Sequence, residues 1–129
     1  THAAMGQENI NKAQLKQTIE LKCGHAADIL KSLPADIEPF DFIFIDADKQ
    51  SYPEYLELSL NLSHSGTLIF LDNVIRAGDI INPENHKPSI EGIRDMFKAM
   101  QNHPKILSCT ALQTVGSKGH DGFALAIVK

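Results

Sequence analysis

The chain has 129 residues, of which 43% are hydrophobic, enough for one domain with a real core. Its formal net charge of −4 provides no global basic footprint for nucleic acid. Cys23 and Cys109 form neither a CxxC pair nor a ligand cluster, no apolar run approaches the ~18 residues of a membrane span, and no signal peptide is read at the start. The plain reading is a reduced, cytoplasmic protein without a membrane segment.

Residues 1–11 hold fair helix formers with little periodicity, and Thr1 is not a start methionine, so an upstream portion is expected to be missing. Thr18-Ile19-Glu20-Leu21-Lys22-Cys23 alternates polar and apolar, which predicts a strand. Gly24 to Asp28 reads as a turn into a short helix, Asp28 to Leu33, and Pro34 and Pro39 bracket a loop. The run Phe40-Asp41-Phe42-Ile43-Phe44-Ile45 then stops at Asp46. Being apolar on consecutive residues, it predicts a parallel strand covered on both faces. Ser51 to Leu62 reads as a helix with Ser51 as cap, Glu54 completing a capping box, and Tyr52, Tyr55, Leu56 and Leu60 on one side. Ser65-Gly66 is expected to end that segment. Thr67 to Leu71 reads as a second buried strand that stops at Asp72-Asn73.

Val74 to Pro88, with Gly78 and Pro83, predicts a long loop leaving the sheet beside Asp72. Ser89 is expected to cap a helix to about Gln101, with Ile90, Ile93, Phe97 and Met100 inward. Ile106 to Thr114 and Gly122 to Val128 read as strands joined by a hairpin-like turn, Gly116 to Asp121. The order predicts one α/β layered domain, residues 1–129, closing in an antiparallel hairpin.

A strand–helix–strand unit makes a right-handed crossover, so Asp46 and Asp72 are expected side by side at the carboxyl edge, where open α/β sheets bind ligands. Asp46, Asp72 and Asn73 together offer three hard oxygen donors, a set that suits Mg²⁺, Ca²⁺ or Mn²⁺. Strand-ending aspartates also serve as plain turn caps, and both readings stand at this point. Lys49, three residues after Asp46, reads either as a solvated surface lysine or as a general base whose proton a nearby cation would loosen. Gly24-His25-Ala26 is either an ordinary turn or a place where small residues admit a flat ring. The six histidines show no His-x-x-x-His spacing and read as surface residues. Neither a Gly-x-Gly-x-x-Gly nor a Walker-type loop occurs.

Phe40 to Lys49, Tyr52-Pro53-Glu54-Tyr55 and Asp72-Asn73-Val74 together resemble the cation-dependent O-methyltransferases, the class that includes catechol and caffeoyl-CoA O-methyltransferases and small bacterial enzymes. The resemblance implies a Rossmann-like S-adenosylmethionine-dependent methyltransferase fold with sheet order 3-2-1-4-5-7-6, truncated at its N-terminus. In that frame the Thr18 strand is the third and the Phe40 strand the fourth. Asp46, Asp72 and Asn73 match the family's metal ligands, and Lys49 matches the lysine that takes the hydroxyl proton, with Asp46 beside it. Ala26, and more loosely Gly24, match the turn flanking the adenine of S-adenosylmethionine. Asp46 and Ala47 also approach that cofactor, and Tyr55 matches a position near methyl transfer.

The implied activity is S-adenosylmethionine- and divalent-metal-dependent O-methylation of a catechol-like or vicinal-diol small molecule. Arg76 and Ala77 replace an aromatic residue and an asparagine of the plant enzymes, which disfavours a phenylpropanoid-CoA substrate. The family's glycine-rich loop and the acidic residue for the cofactor ribose would precede Thr1. The chain alone is therefore expected to bind S-adenosylmethionine poorly, and its open Phe40 edge is expected to favour a homodimer or a shifted Thr18 strand. The alternatives are a hydroxyuridine O-methyltransferase of tRNA, weakly disfavoured by the acidic balance, and an inactive truncated α/β module serving in assembly. A Mg²⁺-dependent phosphotransfer domain fits the closing hairpin less well.

Overall fold

The computed structural model describes residues 2–117 and 119–129 and divides into two compact units, Thr1–Pro34 and Ala35–Lys129. In the first, helix α1 spans His2–Lys12 and the short helix α2 spans Ala26–Lys31. Helix α2 thus begins two residues before the expected Asp28, with His25 at its N-cap. Thr18 to Cys23 forms no strand. Alternation alone cannot make one, because a strand's N–H and C=O groups need a neighbouring strand. None pairs here, and Ile19 and Leu21 each remain 42% exposed.

The second unit carries a four-stranded sheet in the order β1-β2-β4-β3, built from β1 (Phe40–Ile45), β2 (Ser63–Asp72), β3 (Ile106–Gly116) and β4 (Gly119–Val128). β1 and β2 are parallel, whereas β4 runs antiparallel to both β2 and β3. This is the 4-5-7-6 half of the expected sheet order, closing in the expected hairpin. Helix α3 (Tyr52–Asn61) makes the crossover, and helix α4 (Pro88–Gln101) packs against α3.

β2 begins earlier than its apolar run. Ser65 and Gly66 lie inside the strand rather than ending the helix, and Gly66 takes φ 93°. That left-handed glycine absorbs the irregularity between the pairs Phe40↔Ser63 and Phe42↔Leu68. Thr67 seals the join, since its hydroxyl donates to the Phe40 carbonyl at 2.6 Å and accepts from the His64 N–H at 3.0 Å.

The core lies on one face of this sheet. Ile69 and Leu71 of β2, Ala124 and Ala126 of β4, Leu56 and Leu60 of α3, and Ile93 and Met96 of α4 are all buried. Met96 takes the inward place expected of Phe97, which is only half-buried. Coverage of both faces, expected from the unbroken apolar run of β1, is not found. Phe42 and Phe44 stay 53% and 54% exposed, because the helices of this unit cover only the opposite face. On the open face Phe44, Phe70 and Phe123 form a ladder across β1, β2 and β4, with centroids 5.2 and 4.6 Å apart.

Of the two expected helix caps, one is replaced and the other lacks its hydrogen bond. α4 starts at Pro88, which suits a first helical position, with Lys87 rather than Ser89 at the N-cap. Ser51 is the N-cap of α3 but makes no capping hydrogen bond, because its hydroxyl serves Asp48. In α4, Gly92 lies against the 3₁₀ turn Lys49–Ser51. A Cβ there would collide with the Lys49 carbonyl and stand 2.6 Å from Gln50 Cα.

Gly92→Ala tests this approach. The gain in helix propensity is about 1 kcal/mol, but the obstacle is backbone that cannot swing aside, and overpacking costs about 1–3 kcal/mol. The variant should unfold at lower denaturant than the parent, and a higher midpoint would contradict the contact.

Candidate functional site

Ile45 pairs with Leu71, so the next residues, Asp46 and Asp72, leave adjacent parallel strands at the same edge, where strands lie about 4.8 Å apart. Tyr52, the first residue of α3, fastens the two ends. Its hydroxyl faces the Asp72 carbonyl at 2.7 Å and the Ile45 carbonyl at 3.2 Å. Lys49 donates to that hydroxyl at 2.6 Å and to Asp46 Oδ1 at 3.0 Å. Lys49 is buried, so the surface reading of this residue is wrong. Asp46, Lys49, Tyr52 and the Asp72 backbone therefore form one hydrogen-bonded chain.

A second brace comes from Asp121, just before β4 enters the sheet core. Its Oδ2 accepts from Asn73 Nδ2 at 3.1 Å, and its Oδ1 accepts the N–H groups of Ile75, Arg76 and Gly122 at 3.3, 3.2 and 2.9 Å. Burial pushes the Asp121 carboxyl up, but these backbone donors and the Asn73 amide together hold it below the ordinary carboxylate value. Asn73 has φ 56°, a left-handed conformation that asparagine adopts more readily than most residues.

The donor set can be tested for a cation by its unused oxygens. Asp46 Oδ1 takes Lys49, Asp72 Oδ1 takes the Asn73 N–H at 2.8 Å, and the Asn73 amide nitrogen is spent on Asp121. One further oxygen on each of Asp46, Asp72 and Asn73 has no protein partner among the described residues. Two carboxylates and an amide oxygen fit Mg²⁺, Ca²⁺ or Mn²⁺. Among the described residues no group of three or more His, Cys, Asp or Glu is arranged for a metal ion.

The other residues singled out from sequence stand as follows. Ala47 is half-buried between Asp46 and Asp48. Tyr55 is buried one turn beyond Tyr52 and donates to Asp48 Oδ1 at 2.7 Å. Hydrogen bonds from Ser51 and Tyr55 hold the Asp48 carboxyl low. Gly24 and Ala26 belong to the first unit, where Ala26 opens α2 and a Cβ on Gly24 would press on Ile29 Cδ1 at 3.2 Å. Sequence reasoning took Tyr52 for core and Asp121 for turn. The available signals were a tyrosine one helical turn beyond Lys49 and an Asp-Gly step entering a buried strand.

Comparison with known proteins bears on the family and the fold. The O-methyltransferase family profile matches residues 1–126. A catechol O-methyltransferase from Niastella koreensis is 46% identical over 99% of this chain and 58% of its own length. One from Mycobacterium tuberculosis is 39% identical over 99% of this chain and 56% of its own length. The crystal structure of an O-methyltransferase from Bacillus cereus in complex with SAH superposes with a TM-score of 0.93 at 47% identity, covering 99% of this chain and 58% of that one. The four-stranded α/β sheet is thus of the class found in S-adenosylmethionine-dependent O-methyltransferase structures. The chain belongs to the O-methyltransferase family, and it spans a little over half the length of the relatives it matches. No helix among the described residues is long and apolar enough to cross a membrane.

Two predictions follow from the tyrosines. Burial raises the Tyr52 phenol against the pull of Lys49, and burial with the Asp48 carboxylate pushes Tyr55 up to about 12. Folded values above the ordinary 10.0 mean that their stabilisation is intact below pH 10 and is lost as pH climbs through the folded values. The chain has 2 Tyr and no Trp, so alkaline difference absorbance should lack a tyrosinate step at pH 10, and such a step would refute the assignment. Tyr52→Phe should cost about 1–3 kcal/mol in denaturant unfolding, because it strips partners from the Asp72 carbonyl and the buried Lys49.

Proposed function

We propose that this chain forms the acceptor- and metal-binding part of an S-adenosylmethionine-dependent O-methyltransferase acting on a catechol-like or vicinal-diol small molecule. The observation that carries this reading is Lys49, held between Asp46 and Tyr52 at the edge where Asp72 and Asn73 end the neighbouring strand. Family membership, the catechol O-methyltransferase relatives and the SAH-bound neighbour support it.

Asp46, Asp72 and Asn73 would hold a hard divalent cation, which supplies positive charge to favour a deprotonated acceptor hydroxyl. S-adenosylmethionine supplies the methyl group. It is the neutral amine of Lys49 that takes the hydroxyl proton: its two N–H groups face Asp46 and Tyr52, its lone pair forms the new N–H bond, and the acceptor O–H bond breaks. Asp46 and Tyr52 fix that nitrogen from two sides, so the proton acceptor is in place before substrate arrives. Most of the rate gain then comes from positioning.

The test is transfer of a labelled methyl group from S-adenosylmethionine to a catechol by the protein carrying this chain. Activity should disappear with a chelator, return with Mg²⁺, and fall about 10²–10⁴-fold in Lys49→Met. Full activity in chelator or in that variant would sink the reading.

A further inference from the structure

An asparagine side chain ends in two unlike atoms, and here a neighbour decides which way round they lie. Asn73 Nδ2 stands 3.1 Å from Asp121 Oδ2. A carboxylate accepts hydrogen bonds and donates none, so the amide must turn its NH₂ group to Asp121. Its oxygen is left as the branch available to a cation. Asp121 cannot easily turn aside, because its other oxygen is held by the three backbone N–H groups of Ile75, Arg76 and Gly122. The backbone behind it is equally confined. A Cβ on Gly122 would collide with the Leu112 carbonyl and stand 2.5 Å from Ile75 Cγ1.

We infer that Asp121 is a positioning residue whose carboxylate orients the Asn73 amide so that its oxygen, not its nitrogen, faces the cation. The inference rests on the cation site proposed above and adds a residue to it. An amide NH₂ group offers a hard cation no lone pair, so reversing the amide would remove one of three protein ligands.

Asp121→Asn separates this role from general support of the loop. The new side chain keeps one acceptor oxygen, and the three backbone donors hold that oxygen toward themselves. Its NH₂ group then faces the Asn73 NH₂ group, donor against donor. The conflict is relieved when Asn73 flips and offers its oxygen to the new amide. The reciprocal double variant, Asn73→Asp with Asp121→Asn, restores a donor–acceptor pair and returns a free oxygen to the site. Aspartate tolerates the left-handed backbone at 73 much as asparagine does.

The probe is Mn²⁺ alone, titrated into the chain and followed by electron paramagnetic resonance, with no S-adenosylmethionine present. Asp121→Asn should bind about 10–100-fold more weakly, the usual consequence of losing a group that orients a ligand, and the double variant should recover binding. In metal-free protein, the Asn73 side-chain amide protons should exchange slowly in the parent and change environment in Asp121→Asn. No Mn²⁺ binding by the parent would overturn the cation reading and this inference with it. Binding by the parent and equally by Asp121→Asn would overturn the inference alone. Weak binding by Asp121→Asn that the folded double variant fails to restore would also overturn it, because loss of loop support alone predicts that result.

Discussion

Tyr52 carries one hydroxyl proton into a gap between two carbonyls, those of Ile45 and Asp72, which end adjacent strands. Strand ends leave the ladder with unpaired carbonyls, and burying them unpaired would be costly. The same hydroxyl accepts from Lys49, whose other bond goes to Asp46. From below, Gly92 brings the backbone of α4 against the Lys49 turn at a distance no other residue permits. Lysine is a long, flexible side chain, yet here its nitrogen is fixed by strands, helix start and helix packing together. In the role proposed for Lys49, a proton acceptor held this way would give up little rotamer entropy when a substrate binds.

How much of this was legible depended on whether a residue's role was local. The two acidic strand ends could be read from β1, α3 and β2 because a strand, a crossover and a parallel strand permit only one handedness. The residues buried on α3 followed from helical spacing. Thr18 to Cys23 could not be settled that way, since a strand's existence depends on a partner that its own alternation does not reveal. For β1, the unbroken apolar run was compatible with cover on both faces but did not say whether cover exists, and Phe42 and Phe44 remain exposed. Tyr52 was legible as core and illegible as a hub, because burial follows from periodicity while the partners of a hydroxyl follow from where two remote strand ends meet. Asp121 shows the same limit. It sits 48 residues from Asn73 along the chain, and only the antiparallel pairing of β2 with β4, Asp72 opposite Phe123, brings them together.

The loop that leaves the sheet beside Asp72 is more rigid in construction than its glycine and prolines suggest. Arg76 and Ala77 are left-handed at φ 53° and 55°, and Gly78 follows at φ 89°. Non-glycine residues persist in that region only where their surroundings over-determine them. At the sheet end, Asp121 accepts from Ile75 and Arg76. At the far end, Arg94 of α4 donates to the carbonyls of Ile80, Asn82 and Asn85 at 2.9, 2.6 and 2.8 Å, and more distantly to Asp79 at 3.4 Å. Glu91 holds the guanidinium from its own helix at 2.8 Å and also meets His86 at the same distance. A planar fork of donors suits carbonyls fanned around one point, which a lysine ammonium would not match. The strain near Asn73 is thus carried between two anchors, one anionic and one cationic. Each satisfies main-chain groups that a loop would otherwise leave to water, so the segment beside the acidic strand ends is held in one shape.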